Sequence, residues 1–507
     1  MSFVFDILRF TGIFLLVILL FNFVILVHEW GHFLAARWRG LRVDKFQIWF
    51  GKPIWKKTIN GVQYGLGTIP FGGFVALPQM APMEAIEGKS DGTERREILP
   101  PISPVDKIIV AFAGPLFSFL LAVFFAFIVW GVGKPTTASE MDPRIGYVAN
   151  DGPAKKAGLQ VGDVVKSIDG KPVHRFMGMI DSVVWGVASA ESDNITFVVE
   201  RGGREITVVV HAPANEAENF KEWEKASFWT KLWGRPPLRQ VRIGPHYGEL
   251  IVDKVLDNSP GAIAGIKPGD KVLTANGEAL ASPGTISDLI ELQEKANSEK
   301  HSAEQKEITL TLEIERVGKK LVMVVKPKNP ATPKDWEAGP ITGIAYKTDK
   351  DNLPSIHLTP WAQVSDSVRT TFATLAALIS PKSKVSASHM SSAVGIMNVF
   401  YQLFKMDEGW KLALWFAMVL NVNLAILNLL PLPVIDGGHI TMALIEIVTR
   451  RPLRGKLVEY TQAGFVFLLF GFMLWVMLKD FGSMTQKEEP ISFQPVREGA
   501  DTMPHPK

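Results

Sequence analysis

Residues 10–32 read FTGIFLLVILLFNFVILVHEWGH. A largely apolar run from Phe10 to Val27 ends in His28-Glu29-Trp30-Gly31-His32. HExxH on a helix places two imidazoles one turn apart, both able to reach one Zn²⁺, with a carboxylate beside them to activate water. The preceding run has the length and apolarity of a membrane span, so the motif stands at membrane depth. Ionisable groups there are costly and mark functional sites. A hydrolytic metal site on a spanning helix implies an enzyme that cuts peptide bonds inside or beside the bilayer.

Composition agrees with a membrane protein that also carries soluble domains. The chain has 507 residues, 47% hydrophobic and 21% charged. A net charge of +3 gives no basis for a nucleic-acid partner. There are no cysteines, so any zinc must be held by His and carboxylate groups. The N-terminal apolar run is too long for a typical signal-peptide core and lacks a small-residue cleavage site, which predicts a retained span.

Four stretches approach the ~20 residues that a span requires. They are 7–27, continuing as helix through the HExxH towards Trp38, then 106–132, 411–431 and 462–478. Positive charge sets the orientation. Arg37, Arg39, Arg42, Lys45, Lys52, Lys56 and Lys57 follow the first span, and Arg450, Arg451, Arg454 and Lys456 lie between the third and fourth. Both loops are expected on the cytoplasmic side. The HExxH then lies near that side, and the insert between spans two and three lies outside the cytoplasm.

Residues 45–77 read as a β-meander, with Phe46–Phe50 and Ile54–Lys57 as strands and Asn60-Gly61 as a hairpin turn into Val62–Ile69. The segment Pro70-Phe71-Gly72-Gly73-Phe74-Val75-Ala76-Leu77 is too apolar for an ordinary cytoplasmic loop. It is expected to dip into the membrane next to the metal, with its backbone groups paired or sheltered.

An internal repeat occupies the long insert. Pro153, Gly158, Gly162, Asp163 and Gly170 recur 107 residues later as Pro260, Gly265, Gly269, Asp270 and Gly277. Each copy predicts a short helix, a Gly-Asp turn, an apolar strand and a tight turn. Later strands are Ile195–Arg201 and Ile206–His211 in the first copy, and Ile308–Arg316 and Leu321–Lys326 in the second. The pattern resembles the PDZ domain of bacterial proteases, which implies grooves where extended peptides add as strands. Between the copies, Trp223, Trp229 and Trp233 interleave with charge, as in a helix lying on a membrane or packed against the modules.

HExxH supplies two ligands, and a catalytic zinc takes a third while keeping one position open. The best candidate lies at the end of the third span, in Asn428-Leu429-Leu430-Pro431-Leu432-Pro433-Val434-Ile435-Asp436-Gly437-Gly438-His439. The prolines break the helix, the glycines allow tight turns, and Asp436 is placed on the same side as the HExxH. His439 competes with it on chemistry alone.

HEWGH on a first span together with NLLPLPVIDGG on a later one resembles the site-two protease family, in particular the bacterial sigma-factor-regulating members with tandem PDZ domains. The resemblance covers about 1–480. It implies that His28, His32 and Asp436 hold one Zn²⁺ per chain, with Glu29 as general base and acid. Asn428 would position substrate or stabilise the transition state, and Asn423 would contact substrate. Gly72, Gly73, Phe74 and Val75 would pair with the unwound substrate. Two departures stand out: Gly114-Pro115-Leu116-Phe117-Ser118 carries Ser where the family pattern has Asn, and Ser391-Ser392-Ala393-Val394-Gly395-Ile396 replaces a usual SGPIGI-like stretch.

The expected fold class is a polytopic α-helical membrane protein. It would combine four transmembrane helices, a membrane-associated β-hairpin region and two extracytoplasmic PDZ-like α+β domains. The division expected along the chain is 1–40 for the first span, 41–104 for the β-loop region and 105–133 for the second span. The PDZ-like domains would occupy 134–213 and 241–330, around an amphipathic insert at 214–240. A connecting region at 331–410 with an amphipathic helix would lead to the third span at 411–440. A cytoplasmic loop at 441–459, a fourth span at 460–480 and a disordered tail at 481–507 would complete it. The expected partners are a transmembrane protein or peptide substrate already trimmed by another protease, the lipid bilayer of a bacterial inner membrane, and peptide ligands of the PDZ grooves. The competing readings are an inactive membrane scaffold that captures peptides and a zinc carrier; Glu29 argues against the first and the tandem modules against the second.

Overall fold

The structure is a computed structural model that describes residues 2–80, 102–213, 218–298, 307–327, 342–346, 354–406, 408–451 and 455–485. The chain forms two compact units. The first comprises Met1–Pro135, Ser355–Thr374 and Met390–Ser483, and the second Thr136–Pro354, Leu375–His389 and Met484–Lys507. The expected tail lies outside the described residues beyond Thr485, and residues 485 and below continue as helix.

Five helices of the first unit bear on the site: α1 (Ser2–Trp38), α2 (Pro104–Val132), α3 (Gly409–Asn428), α4 (Asp436–Thr449) and α5 (Gly455–Thr485). Among the described residues, four helical stretches are long and apolar enough to cross a membrane: Leu8–Trp38, Pro104–Val132, Gly409–Asn428 and Val458–Asp480. Small residues let α2 and α3 approach closely. Ala122, Ala126, Ala413 and Ala417 are buried in one core with Val17, Leu121, Phe125, Phe400, Met418 and Val422. Pro115 sits inside α2.

Within 411–440 the helix breaks where the prolines are expected to break it: α3 stops at Asn428 and α4 begins at Asp436. Pro431 and Pro433 lack N–H donors and cannot continue the helical ladder between them. The expected cytoplasmic loop at 441–459 is occupied to Thr449 by α4. Its Glu446 accepts from Lys107 Nζ of α2 at 2.7 Å.

The region after α1 is a four-stranded sheet: β1 (Lys45–Phe50), β2 (Trp55–Ile59), β3 (Val62–Leu66) and β4 (Ile69–Ala76). The strand order is β2-β3-β1-β4, with β1 and β3 parallel, so a meander is ruled out. Only the β2–β3 hairpin at Asn60-Gly61 follows the local expectation. The exposed, lysine-bearing β2 takes one edge. Apolar β4 takes the other, antiparallel to β1 with Val75 opposite Phe46 and Gly73 opposite Ile48. Phe33 of α1 meets Phe46 and Tyr64 edge-on, which seats the sheet on the end of the helix.

The second unit contains the two repeat copies as two α+β modules with separate cores. In the first, the sheet order is Arg204–His211, Asn194–Arg201, Val164–Ile168, Lys171–Pro172, and Ile145–Val148 pairs with Ile243–Pro245. In the second, Lys319–Val325, Leu310–Arg316, Lys271–Ala275, Leu250–Val255 and Ile344–Tyr346 run in that order. The closing strand of each module arrives late. Val241 and Ile243 pack in the first core and Ile344 against the second. The expected boundaries at 241 and 330 therefore fall before strands that belong to the preceding module. The insert helices Glu218–Lys225 and Phe228–Trp233 leave Phe228 and Trp229 exposed.

The repeated Gly-Asp turn has a purpose that spacing did not reveal. Arg201 grips Asp163 through Nε and Nη2 at 2.6 and 2.7 Å and donates to Gly158 O. Arg316 grips Asp270 identically, at 2.6 and 2.7 Å, and donates to Gly265 O. Each fork ties the last residues of a long strand to the short-helix turn. Burial pushes the Asp270 carboxyl up, but the Arg316 fork and the Lys267 N–H outweigh it and hold it below the usual carboxylate range. Stability from this pair is therefore present above the unfolded carboxylate pKa of about 3.9 and lost as pH falls through the lower folded value. Asp270→Asn is expected to cost about 3 kcal/mol. Amide hydrogen exchange in Lys271–Ala275 and Leu310–Arg316 should rise in the variant at neutral pH and in the parent only under acid conditions.

Candidate metal centre

α1 carries His28 and His32 one turn apart, so both rings leave the same helix face. α4 brings the third group. After α3 ends, residues 429–435 fold back tightly, with Leu432 N–H bonded to Leu430 O and Gly438 N–H to Ile435 O. A Cβ on Gly437 would stand 2.1 Å from Leu430 O, and one on Gly438 2.1 Å from Leu432 O. Only glycine fits either place. The turn puts Asp436 at the first helical position of α4, where the helix dipole favours a carboxylate.

The three side chains converge. His28 Nε2 and His32 Nε2 are 3.2 Å apart, and each lies 3.3 Å from an oxygen of Asp436. His28 is buried, as is Asp436 Oδ2, which has no hydrogen-bond partner. The outward ring nitrogens are engaged. His32 Nδ1 is 2.8 Å from the carbonyl oxygen of Val110, an acceptor only, so Nδ1 carries the proton. His28 Nδ1 is 3.0 Å from Ser118 Oγ. Where Ser118 Oγ accepts from His28 Nδ1 as Val110 O accepts from His32 Nδ1, two imidazole lone pairs and a carboxylate face one another at contact distance. That arrangement is repulsive until a cation lies among them. Two neutral imidazoles oriented by outer partners plus one carboxylate oxygen is the donor set of a three-ligand zinc site, and among the described residues these three form the group able to hold a metal.

α2 makes this geometry possible by coming very close to α1. A Cβ on Gly31 would stand 2.4 Å from Ala113 O, and one on Gly114 2.1 Å from His32 Nε2. Gly114, Pro115 and Ser118 are all buried. The departure at Ser118 thus falls on the hydroxyl that meets His28.

A cavity of about 200 Å³ opens over the group, lined also by Glu29, Val75, Asn428 and His439. Asn428 Nδ2 is 3.5 Å from His28 Nε2. The Val75 backbone N–H donates to the Glu29 carboxylate, and a Cβ on Gly73 would stand 3.6 Å from Glu29 Cγ. The edge strand β4 therefore runs past the acid.

The structure gathers His28, Glu29, His32, Asn428 and Asp436 in one place, with Gly73 and Val75 alongside. His439 lines the cavity but its nitrogens lie outside the three-atom group. Gly72 and Phe74 are turned towards Phe50: Phe74 stacks on that ring at 6.3 Å, and a Cβ on Gly72 would strike it. Asn423 is not brought to the centre. Its Oδ1 accepts from Thr371 Oγ1 at 2.5 Å. Sequence reasoning missed Gly114 and the carbonyl of Val110, and treated Ser118 only as a packing departure. No residue pattern along α2 marks which groups will face a ring on another helix.

Two substitutions test the centre without turnover. Ser118→Ala is expected to weaken zinc binding about 10–100-fold, read by competition with a chromophoric chelator. Gly114→Ala is expected to abolish stoichiometric zinc in the purified protein, because its methyl group occupies the place of the His32 ring nitrogen.

Comparison with known proteins agrees with this chemistry. The model of Peptidase family M50 matches residues 16–472. The chain is 29% identical over 486 residues to a Neisseria meningitidis protein provisionally named a zinc metalloprotease, covering 92% of this chain and 99% of that one. It is 26% identical over 494 residues to the regulator of sigma-E protease RseP of Escherichia coli, covering 91% and 96%. It is 27% identical over 475 residues to the regulator of sigma E protease of Haemophilus influenzae, covering 90% and 95%. Matched along nearly its full length, the chain belongs to Peptidase family M50, the site-two proteases, and is a zinc-dependent metalloendopeptidase.

Proposed function

We propose that this protein hydrolyses a peptide bond within or beside the transmembrane segment of a single-pass membrane protein that another protease has already trimmed. The observation that carries the reading is the convergence of His28 and His32, with Glu29 beside them on the spanning-length helix α1, and Asp436 at the start of α4. Substrates of the anti-sigma-factor kind are favoured by the names of the relatives, and remnant signal peptides have the same chemistry.

His28, His32 and Asp436 would hold one zinc ion, which when bound supplies a polarised water and a Lewis acid for the scissile carbonyl. Glu29 accepts the proton of the attacking water and returns it to the leaving amide nitrogen. The Val75 N–H keeps the carboxylate aimed into the cavity. Asn428 Nδ2, 3.5 Å from His28 Nε2 in the cavity lining, would donate to the oxyanion that develops on the carbonyl. His439, one turn along α4 from Asp436, is left as a wall of the cavity.

A transmembrane helix hides its carbonyls in its own hydrogen bonds. It must open before attack, and in lipid the freed groups need new partners. The edge of β4 provides them, so substrate would be held as an added strand beside Gly72–Val75. The positive charges after the first span and before the fourth favour an inner-membrane protein with the site near the cytoplasmic side. The two modules, read as PDZ-like, would then stand outside the cytoplasm, where they bind peptides or exclude substrates with bulky outer domains.

Glu29→Gln separates this enzyme from a peptide-binding scaffold. With purified protein and a single-span substrate, cleavage is expected to fall by at least about 10²-fold while zinc content is retained. Asp436→Asn is expected to lose zinc and His439→Ala to keep it. Persistent cleavage in Glu29→Gln would refute the role given to Glu29.

A further inference from the structure

The first span is not apolar throughout. Asn22 stands in its middle, two turns before Glu29 on the same helix face. An amide at that depth is costly unless every polar atom is paired. Asn22 is paired through the sheet. Its Oδ1 accepts from Trp49 Nε1 at 2.8 Å, and its Nδ2 donates to Ile18 O at 2.8 Å and to Pro70 O at 3.3 Å. One side chain of α1 thus joins β1 and the start of β4.

Trp49 is itself unusual. Its φ is 66°, in the left-handed region that a bulky residue rarely adopts, and it sits at the irregularity between Ile48 and Phe50 where the β1–β4 register shifts. Buried Gln47 satisfies the bulge, donating from Nε2 to Trp49 O at 3.0 Å and to Gly51 O at 2.9 Å. The bulge turns the indole towards α1. A strained tryptophan backbone beside a membrane-depth amide is a costly pair to keep for packing alone, since an aliphatic pair would fill the space without either penalty.

We propose that Asn22 and Trp49 form a clamp that fixes the depth and register of β4 along α1, so that its edge meets substrate at the level of Glu29. They are positioning residues, acting through β4. The inference rests on the reading of β4 as the substrate-pairing strand.

The absence of cysteine makes the test clean. Phe74→Cys introduces a single thiol on β4. In a Glu29→Gln background it is oxidised with a single-span peptide carrying one cysteine, and amide exchange on Ile69–Ala76 is followed in the same samples. Asn22→Leu and Trp49→Phe are each expected to cut the cross-link about tenfold and to speed β4 exchange, with unchanged zinc content and no further loss when combined. Unchanged β4 exchange and cross-linking in Asn22→Leu would overturn the clamp while leaving the strand reading intact. If the clamp variants speed exchange but no cross-link forms even with Asn22 and Trp49 present, the strand reading fails and the positioning role falls with it.

Discussion

Everything at the centre depends on one contact of three acceptors. Two imidazole nitrogens of the spanning-length helix α1 and a carboxylate of α4 meet at 3.2–3.3 Å in a largely buried place. A divalent cation among them relieves such a concentration of lone pairs. The constraint propagates outwards: each ring must present Nε2 inwards, so each Nδ1 needs its own acceptor, and α2 supplies both from Val110 and Ser118.

That requirement explains why α2 is built as it is. To offer a carbonyl and a hydroxyl to rings on α1, its backbone must come within a side chain's thickness of α1. Gly31 and Gly114 remove the atoms that would prevent this. Pro115, next to Gly114, is accommodated inside the helix. The broken segment between α3 and α4 serves the same end from the other side, since a continuous helix would carry Asp436 onward along the span axis.

The sheet beside α1 obeys a related rule. A strand at membrane depth exposes donors and acceptors that lipid cannot satisfy; β4 is paired to β1 on one edge, and its other edge is the one proposed to take substrate. Val75 shows the economy of that edge: its N–H orients Glu29 within the same strand that borders the cavity. In the second unit, the paired Asp–Arg forks show the same principle in water. A buried carboxylate is retained where a guanidinium completes it and locks a turn to a strand.

The sequence by itself determined the four apolar helices, the HExxH motif, the break at Pro431 and Pro433, Asp436 and His439 as competing third donors, and the repeat. Each of these is a local signal: length of apolar run, i to i+4 spacing, helix-breaking residues, recurring glycines. Only the tertiary structure decided that Ser118 and Val110 back the histidines, that Asn423 bonds Thr371 instead of facing the cavity, and that the closing strand of each module comes from beyond its apparent end. It also decided the order β2-β3-β1-β4 and gave Asn22 its partners. These depend on which surfaces meet across tens to hundreds of residues. Spacing along one chain carries no record of such meetings, whereas the cost of an unpaired polar group in the folded protein enforces them.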